Sequence, residues 1–358
     1  MEKKILRQAI ASFKENVGFQ AEIIDIQHDD ADLGADAEIR MTIQNRELTF
    51  HTEITHRVNR SVIGILMQHK NDFSQALLLV SHYINPVMAE KLKENDINFI
   101  DTAGNAYINA GPVFIFVKGN KAGKSPAAPS RGKAFTRSGL KMIYALLCDK
   151  NLLNRPYREI ASASGIALGT VGQVIDNLKE LGFIIDLGTR GRKLTNNAGL
   201  FNRWCQDYTE KLKPKLLLGR FEGSDDFWRS GRLEPDQGQW GGEVAAFKLT
   251  GYLKPQTVVL YAKDEKLREI LLQNRLKKTE NGNIEIYKTF WSIDGMQDKP
   301  FVHPFIIYAD LLEINNQRTI ETAKVIYDEH IAGYFRKSQL SNGQYQDSGT
   351  GYGKNMQS

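Results

Sequence analysis

Cysteine is scarce in this chain of 358 residues, which contains two, Cys148 and Cys205. They fall in different predicted helices and lack the spacing of metal ligands, which excludes a disulfide framework and a cysteine-based metal site. We expect both to be reduced structural residues. The seven histidines form neither an HxxxH nor an HExxH pattern, so a zinc or triad site built on them is not indicated.

Long apolar runs are also absent, since no uncharged stretch approaches the roughly 20 residues of a membrane span. The segment beginning Met1-Glu2-Lys3-Lys4 is charged and amphipathic, unlike a secretory signal, so we expect a cytoplasmic protein. No repeat is evident. With 41% hydrophobic and 25% charged residues over this length, we expect two or three globular domains.

The stretch 131–193 contains three helical patterns in quick succession. The first follows Thr136, a good N-cap. The second opens at Pro156 and stops at Gly165, which supplies a tight turn. The third runs from about Leu168 to Glu180. Short helices joined by a glycine-containing turn predict a helix-turn-helix, whose last helix enters the major groove of DNA.

The third helical pattern has one apolar and one polar face. Its predicted buried stripe contains Val171, Val174, Ile175, Leu178 and Leu181. Gly169, Thr170, Gln173 and Asn177 lie off this stripe. Gln and Asn bind adenine through two hydrogen bonds, and Thr can contact the thymine methyl group.

The residues after this helix predict a wing. Two strand-like runs enclose Gly188-Thr189-Arg190-Gly191-Arg192-Lys193, a glycine-rich basic tip suited to a phosphate backbone. The candidate DNA contacts are Arg155, Arg158, Thr170, Gln173, Asn177, Arg190, Arg192 and Lys193. The alternatives are an ordinary helical bundle and a winged helix that docks proteins.

Charge favours DNA. Residues 131–220 contain 16 Lys and Arg against 7 Asp and Glu, a net of +9, whereas residues 1–130 and 221–358 each have a net of −2. The net charge of +5 of the whole chain therefore comes from the segment that contains the helical pattern, as expected for a surface that binds a polyanion. A solvated basic face is the alternative.

Residues 1–117 predict an α/β domain. Asp36 precedes one strand, Glu53-Ile54-Thr55 lies on the next, and Glu15 lies on the preceding helix. This order resembles the restriction-endonuclease-like fold, whose metal-dependent nucleases use an Asp and a Glu-x-Lys on adjacent strands. Because Thr55 replaces the lysine, we expect an inactive site. Its degenerate catalytic candidates are Asp36, Glu53 and Thr55. The alternative is an active metal-dependent nuclease.

Two connecting stretches have structural interpretations. Asp101, in the run Asn98 to Asn105, is expected to hold a turn by accepting backbone N–H bonds. Residues 118–133 contain five cations, no acid and several Gly, Pro and Ser residues, which predicts a basic linker that either follows phosphate or is simply soluble.

Residues 198–337 predict a third, mixed α/β domain. Gly241-Gly242 before Glu243 is expected to be a helix-entry turn, because no Walker lysine follows it. Residues 338–358, rich in Ser, Gly, Gln and Asn, predict a disordered tail.

Several ordered motifs together resemble the AbiEi-like antitoxin family of type IV toxin–antitoxin systems. They lie within residues 75–330 and include Asn85-Pro86, residues 99–105, Pro156 to Ala161, Gly165 to Gly172, Lys215 to Phe221, Trp240 to Ala246 and Tyr308 to Leu312. The resemblance implies a transcriptional regulator that represses its own operon. It also implies that the C-terminal domain counters a nucleotidyltransferase-like toxin without a tight complex.

The sequence therefore predicts an α/β multi-domain protein with the following parts. They are a restriction-endonuclease-like domain (1–117), a basic linker (118–133), a winged helix-turn-helix (134–197), a C-terminal mixed α/β domain (198–337) and a tail (338–358). We expect double-stranded operator DNA and a functional toxin partner, with pairing of two copies on DNA as an option. We expect no cofactor, no metal, no membrane contact and no enzyme activity.

Overall fold

The computed structural model describes residues 2–18, 20–25, 36–43, 46–70, 75–121, 132–292 and 299–335. The predicted tail and most of the predicted linker lie outside these ranges. The described chain is mixed α/β, with two large sheets, a small two-stranded sheet and many helices.

The N-terminal part is a seven-stranded sheet in which strand order follows chain order. Its elements are α1 (Glu2–Val17), β1 (Gln20–Asp25), β2 (Ala37–Ile43), β3 (Arg46–Arg57), α2 (Arg60–His69), β4 (Ala76–Tyr83), α3 (Pro86–Glu94), β5 (Asn98–Asp101), β6 (Ala106–Ala110) and β7 (Val113–Val117). The pairs β3–β4 and β4–β5 are parallel, and the other neighbouring pairs are antiparallel. The helices α2 and α3 make the two parallel connections.

Helices cover both faces of this sheet, which explains why β4 is a continuous apolar run. Leu78 and Val80 pack with the buried face of α1, whereas Leu77 and Leu79 pack with α2 and α3. Since successive side chains of a strand point to opposite faces, a strand covered twice needs apolar residues at every position.

Four helices and a hairpin follow. They are α4 (Arg137–Cys148), α5 (Tyr157–Ser164), α6 (Leu168–Glu180), β8 (Ile184–Asp186), β9 (Arg192–Leu194) and α7 (Asn197–Asp207). Thr136 caps α4 by accepting the N–H of Gly139. Gly165, with φ of 60°, ends α5 in the left-handed conformation that glycine tolerates. The predicted turn is therefore present.

The C-terminal part is built around a five-stranded sheet. Its elements are β10 (Leu217–Glu222), α8 (Phe227–Ser230), β11 (Gly238–Gly241), α9 (Gly242–Thr250), β12 (Val258–Ala262), α10 (Leu267–Gln273), β13 (Lys277–Lys278), β14 (Ile284–Lys288), α11 (Pro304–Ile314) and α12 (Gln317–Ile326). The strand order is β11-β12-β14-β10-β13, with β12–β14 parallel and the other pairs antiparallel.

These parts share buried surface. One hydrophobic core joins α4, α5 and α6 to α7, α11 and the C-terminal sheet, and it also includes Ile65 of α2. Trp204 of α7 stacks on Tyr144 of α4, with ring centroids 5.5 Å apart, and donates its indole N–H to the carbonyl of Leu140 at 2.9 Å. The helices before the hairpin are thus packed rigidly on the C-terminal part.

The N-terminal sheet contacts the C-terminal helices through α2. Gly64 lies against Leu312 and Ile320, where a Cβ atom on the glycine would stand 2.8 Å from Leu312 Cδ2. Tyr308 donates its hydroxyl to Gln68 Oε1 at 2.8 Å, in buried surroundings. The close approach of α2 and α11 therefore depends on the missing side chain at position 64.

Candidate nucleic-acid interface

Helix α6 has one fully buried face and one exposed face. Val171, Val174, Ile175 and Leu178 are completely buried. With 100° per residue, the opposite face is formed by Gly169, Gly172, Gln173 and Asp176. Three of these four are exposed and Gly172 is half-buried. Because the helices α4 and α5 hold the buried face, the opposite face is free to meet another molecule.

The sequence-predicted residues of α6 differ in their surroundings. Gln173 is exposed and Thr170 is half-buried. Asn177 accepts the backbone N–H of Ala134 through Oδ1 at 3.1 Å, and its Nδ2 donates to Glu180 Oε2 at 3.1 Å. The amide of Asn177 therefore connects α6 to the segment entering α4, which sequence reasoning did not foresee.

Two cations lie at and just before the start of α5, the helix whose Tyr157 ring is 3.5 Å from the Cβ position of Gly172 in α6. Arg158 is exposed and makes no ion pair with any residue that the structure describes. Arg155 lies 3.5 Å from Glu159 and 4.0 Å from Asp149, both at the surface. Such exposed pairs are weak, so both guanidinium groups can contact an outside anion.

The β8–β9 hairpin adds further cations. Arg190 and Lys193 are exposed and have no acidic partner within the described ranges, whereas Arg192 is half-buried. The Arg192 guanidinium lies 5.3 Å from the ring centroid of Tyr157, and its Nη1 donates to the Tyr157 hydroxyl at 3.3 Å. This cation–π contact joins the hairpin to the start of α5.

Asn154 ties the same hairpin to the loop before α5. Its Nδ2 donates to the Arg192 carbonyl at 2.8 Å, and its Oδ1 accepts the Arg192 backbone N–H at 2.7 Å. Gly191, with φ of 82°, lies so close that a Cβ there would stand 2.6 Å from Asn154 Oδ1. Sequence reasoning missed Asn154, since an exposed asparagine 38 positions away carries no local signal.

The acidic residue of the hairpin is neutralised locally. Asp186 accepts from Lys179 Nζ at 2.8 Å and from the N–H of Gly188 at 3.1 Å. The Lys179 hydrogen bond, followed by that of Gly188, lowers the pKa of Asp186. Because this carboxylate is already paired, it does not offset Arg190 and Lys193.

The carboxylates of the N-terminal sheet are adjacent, as their order along the chain suggested. Ala37 pairs with Thr52, so Asp36 stands opposite Glu53. Asp36 Oδ2 accepts the N–H of Ile54 at 2.6 Å. Burial raises the pKa of Glu53 well above its usual value, and the negative charges of Asp36 and Glu2 raise it further.

A metal-binding arrangement is not evident around this pair. Thr55 donates its hydroxyl to the carbonyl of Arg57 at 3.1 Å, and the described residues contain no group of three or more His, Cys, Asp or Glu side chains arranged to hold a metal ion. One Asp36 oxygen is already engaged by backbone.

Asp101 has the turn-holding role expected from the sequence. Its Oδ1 accepts the N–H groups of Ala103 and Asn105, each at 2.9 Å, and its Oδ2 accepts from Ile84 N and Asn105 Nδ2, each at 2.8 Å. Burial raises the pKa of Asp101 even though these bonds oppose the shift. Four donors satisfy the buried carboxylate completely.

The turn at Gly241-Gly242 is likewise occupied by the protein itself. Gly242, with φ of 52°, donates its N–H to Asp310 Oδ2 at 3.1 Å. The carboxylate of Glu243 accepts the N–H groups of Gln256 and Thr257, each at 2.7 Å, and pairs with Arg318. The helix-entry turn predicted from the sequence is confirmed.

Comparison with known proteins identifies the C-terminal part. Residues 193–332 match the model of a family described as transcriptional regulator, AbiEi antitoxin, type IV TA system. This segment is therefore similar to the AbiEi antitoxin family. No curated protein and no solved structure matches the chain significantly.

The AbiEi-type segment begins in β9 and continues through α12 and the π-helix that follows it, Tyr327–Ile331. The resemblance noted in the sequence is thus confirmed from residue 193 onward. Helices α4, α5 and α6 precede the match, as does the whole N-terminal sheet.

The AbiEi-type segment contains a buried ionic network that sequence reasoning missed. Lys213 Nζ lies 2.8 Å from Asp310 Oδ1 and 2.6 Å from Glu313 Oε2, and the Tyr261 hydroxyl donates to Asp310 at 2.9 Å. The side chains of Lys213 and Asp310 are 6% and 1% exposed. Burial lowers the pKa of Lys213, but the attraction of Asp310 and Glu313 outweighs it and the net shift is upward, whereas burial raises the pKa of Asp310. These contacts link α11 to the segment before β10.

Two remaining findings concern cysteine and membranes. Cys148 and Cys205 are free thiols, and burial raises the pKa of both. Among the described residues, no helix is both long and apolar enough to cross a bilayer.

Proposed function

We propose that residues 134–197 form a winged helix-turn-helix and that the protein is a transcriptional regulator that binds double-stranded DNA. Helix α6 would lie in the major groove, with the β8–β9 hairpin as the wing. The observation that carries the proposal is the arrangement around α6. The exposed face of its first two turns has no ionisable side chain, and the neighbouring α5 and hairpin carry Arg158, Arg190 and Lys193, exposed cations without acidic partners in the described chain.

The proposed contacts divide by chemistry. Gln173 reads a base edge, with Thr170 beside it, because an amide matches adenine. Arg155, Arg158, Arg190 and Lys193 contact phosphates, and Arg192 contacts phosphate while stacked on Tyr157. Asn177 reads bases only if it releases Ala134, so we assign it chiefly to holding the entry into α4.

The biological role follows from the family of the AbiEi-type segment. We propose that the regulator represses its own operon and that the C-terminal part counters a nucleotidyltransferase-like toxin without a tight complex. A palindromic operator would bring two copies together on DNA. Residues 1–117 would serve as a restriction-endonuclease-like scaffold without catalysis.

The DNA-binding proposal is tested with its own upstream region as probe. The combined variant Arg158→Gln, Arg190→Gln, Lys193→Gln should weaken binding at low salt by a factor on the order of 100. It should also reduce the slope of log K against log salt concentration by about 3, since each lost phosphate contact removes about one released ion. Fluorescence anisotropy over a salt series measures both.

The matched control is the variant Arg232→Gln, Lys277→Gln, Lys278→Gln, which removes three exposed cations from the C-terminal part. It changes net charge equally and should leave the salt slope unchanged. Equal losses of DNA affinity in the two variants would mean that binding depends on the overall charge of the protein. The α6 surface would then not be the DNA-binding surface.

A nuclease is the competing function, favoured by the adjacency of Asp36 and Glu53. Incubation of supercoiled DNA with the protein and Mg²⁺ or Mn²⁺ should give no cleavage. Cleavage that disappears in Glu53→Gln but persists in Glu94→Gln, an exposed acid of α3, would make the protein an enzyme.

A further inference from the structure

Gly169 occupies the centre of the exposed face of α6, opposite the buried stripe. A Cβ atom added there would meet no atom of the described chain within 4 Å, and the residue has ordinary helical backbone rather than positive φ. Glycine inside a helix is less stable than alanine because it loses more conformational freedom on folding. The protein's own described structure gives no reason for glycine at this position.

Gly165 shows the contrast. Its φ of 60° places it in the left-handed region, so the turn between α5 and α6 itself requires glycine. A Cβ atom added to Gly172, one turn after Gly169, would stand 3.5 Å from the ring of Tyr157, which is an ordinary contact distance. Of these three glycines, Gly169 alone faces open space with a helical backbone. A molecule outside the chain that approaches the helix closely would explain it.

The first two turns of α6 also contain no ionisable side chain. The first such residue is Asp176, an acid. Arginine and lysine, which bind the guanine edge, are therefore missing from the part of the helix that reaches deepest into the groove. The residues that are exposed instead are Leu168, 47% accessible despite being apolar, and Gln173.

Each of these side chains matches one member of an A·T pair. The thymine methyl group is the apolar feature of the major groove, and an exposed leucine buries it favourably. The amide of Gln173 offers the donor and acceptor that adenine N7 and N6 require. A close approach of the helix backbone at Gly169 brings both short-range contacts within reach.

We propose, on the basis of the DNA-binding function above, that α6 recognises A·T pairs at the centre of its site by close approach at Gly169. Leu168 packs on a thymine methyl group, Gln173 bonds an adenine, and Gly169 lets the backbone lie against the base edges. The cations of α5 and the hairpin hold the phosphates on either side.

Gly169→Ala separates folding from binding. The substitution should raise the thermal midpoint by roughly one to three degrees, because alanine is the better helix former and nothing in the described chain obstructs its methyl group. It should weaken DNA binding about tenfold or more, since the methyl group occupies the space of the base edge. The thermal midpoint is measured on the full chain by calorimetry. DNA affinity is measured by fluorescence anisotropy with a duplex obtained by selection from random sequences.

Gly333→Ala is the matched control. Gly333 is also helical, exposed and open around its Cβ position. Its substitution should raise the midpoint similarly and leave DNA affinity unchanged. If Gly169→Ala binds DNA as tightly as the wild type, close approach at this glycine is wrong.

The thymine contact is tested by replacing thymine with uracil in a site obtained by selection from random duplexes. Loss of the contacted methyl should weaken wild-type binding about fourfold and leave Leu168→Ala unaffected. A selected site with a G·C centre, or equal uracil effects in both proteins, would overturn the proposal while leaving DNA binding intact. Absence of binding to every duplex by the wild type would instead defeat the DNA-binding function itself, and this inference with it.

Discussion

Individual residues of this protein show that the same side-chain chemistry has different consequences in different surroundings. Asn154 and Asn177 are both amides near the proposed DNA surface, yet each is engaged with backbone groups of its own chain. Gln173 is exposed. An amide is suited to reading a base only where the protein leaves its donor and acceptor free.

Glu53 provides a prediction at the scale of one residue. Its folded-state pKa is raised by burial and by Asp36, so the folded protein holds this proton more tightly than the unfolded chain. The resulting stabilisation is complete below the unfolded pKa and is lost as pH rises through the folded pKa. Glu53→Gln should therefore raise the thermal midpoint at pH 8, by roughly two degrees, and change it little near pH 4.

Calorimetry at several pH values measures this difference. Glu15→Gln, at an exposed position of α1, controls for loss of a negative charge. A Glu53→Gln midpoint that falls at pH 8, or a gain independent of pH, would contradict the assigned cause. The outcome also bears on catalysis, because a nuclease carboxylate retained at a cost in stability would be expected to bind metal.

At the scale of elements, the hairpin depends on contacts with a distant loop. Its two strands are three residues each, too short to define a position by pairing alone. The two hydrogen bonds of Asn154 and the stacking of Arg192 on Tyr157 supply the missing restraint. The orientation of the proposed wing is therefore set from outside the hairpin.

Asn154→Ala should loosen the hairpin without unfolding the protein. Two hydrogen bonds at the surface are lost, worth about 1 kcal/mol each at most, so the midpoint should fall by only a few degrees. Hydrogen exchange of residues 186–194 should become at least several times faster, and DNA affinity should fall severalfold. Asn151→Ala, an exposed asparagine of the same loop, should change neither. Unaltered exchange in Asn154→Ala would contradict the role assigned to Asn154.

Elements also illustrate what local pattern predicts well. The interval predicted for the third helix, Leu168 to Glu180, agrees with α6, and Gly165 ends α5 as expected. The sequence does not predict the strand β11, because Gly238 to Gly241 has no alternating pattern. Its place in the sheet comes from pairing with β12, which lies later in the chain.

At the scale of the whole molecule, buried contacts cross the boundary that the sequence suggested between the N-terminal and C-terminal parts. Ser61 and Thr209 share a buried hydrogen bond of 2.9 Å, Asn59 donates to the carbonyl of Gln206 at 3.0 Å, and Gly64 lies against Leu312. These contacts couple the N-terminal sheet to the AbiEi-type segment. We predict a single cooperative unfolding transition for the described parts together.

Gly64→Val should break this coupling. Its branched side chain would overlap the ends of the Leu312 and Ile320 side chains, so we expect these side chains to shift and the packing of α2 on α11 and α12 to loosen. The Gly64→Val variant should show two unfolding transitions instead of one, or faster proteolysis between the N-terminal sheet and α4. Arg60→Val, at an exposed position of the same helix, should keep a single transition, and Tyr308→Phe, which removes only the bond to Gln68, should lower the midpoint slightly. Two transitions in the wild type would refute the coupling.

The amino-acid sequence by itself determined the elements whose residues are neighbours in the chain. Side chains three or four positions apart, or at alternate positions, are sufficient to predict four features. These are the apolar stripe of α6, the glycine turn before it, the strand β4 with apolar residues on both faces, and the capped start of α4. The concentration of +9 in residues 131–220 is equally a property of sequence.

Tertiary structure alone decided which polar groups are already occupied. Lys213 and Asp310 meet across 97 positions, Asn154 reaches Arg192, Asn177 holds Ala134, and Asp310 fills the turn at Gly242. Hydrogen bonds and ion pairs between distant residues follow from how elements pack, whereas periodicity records only which face of each element is apolar. For that reason the helix proposed to read DNA could be located from sequence, but the residues on it that are free to do so could not.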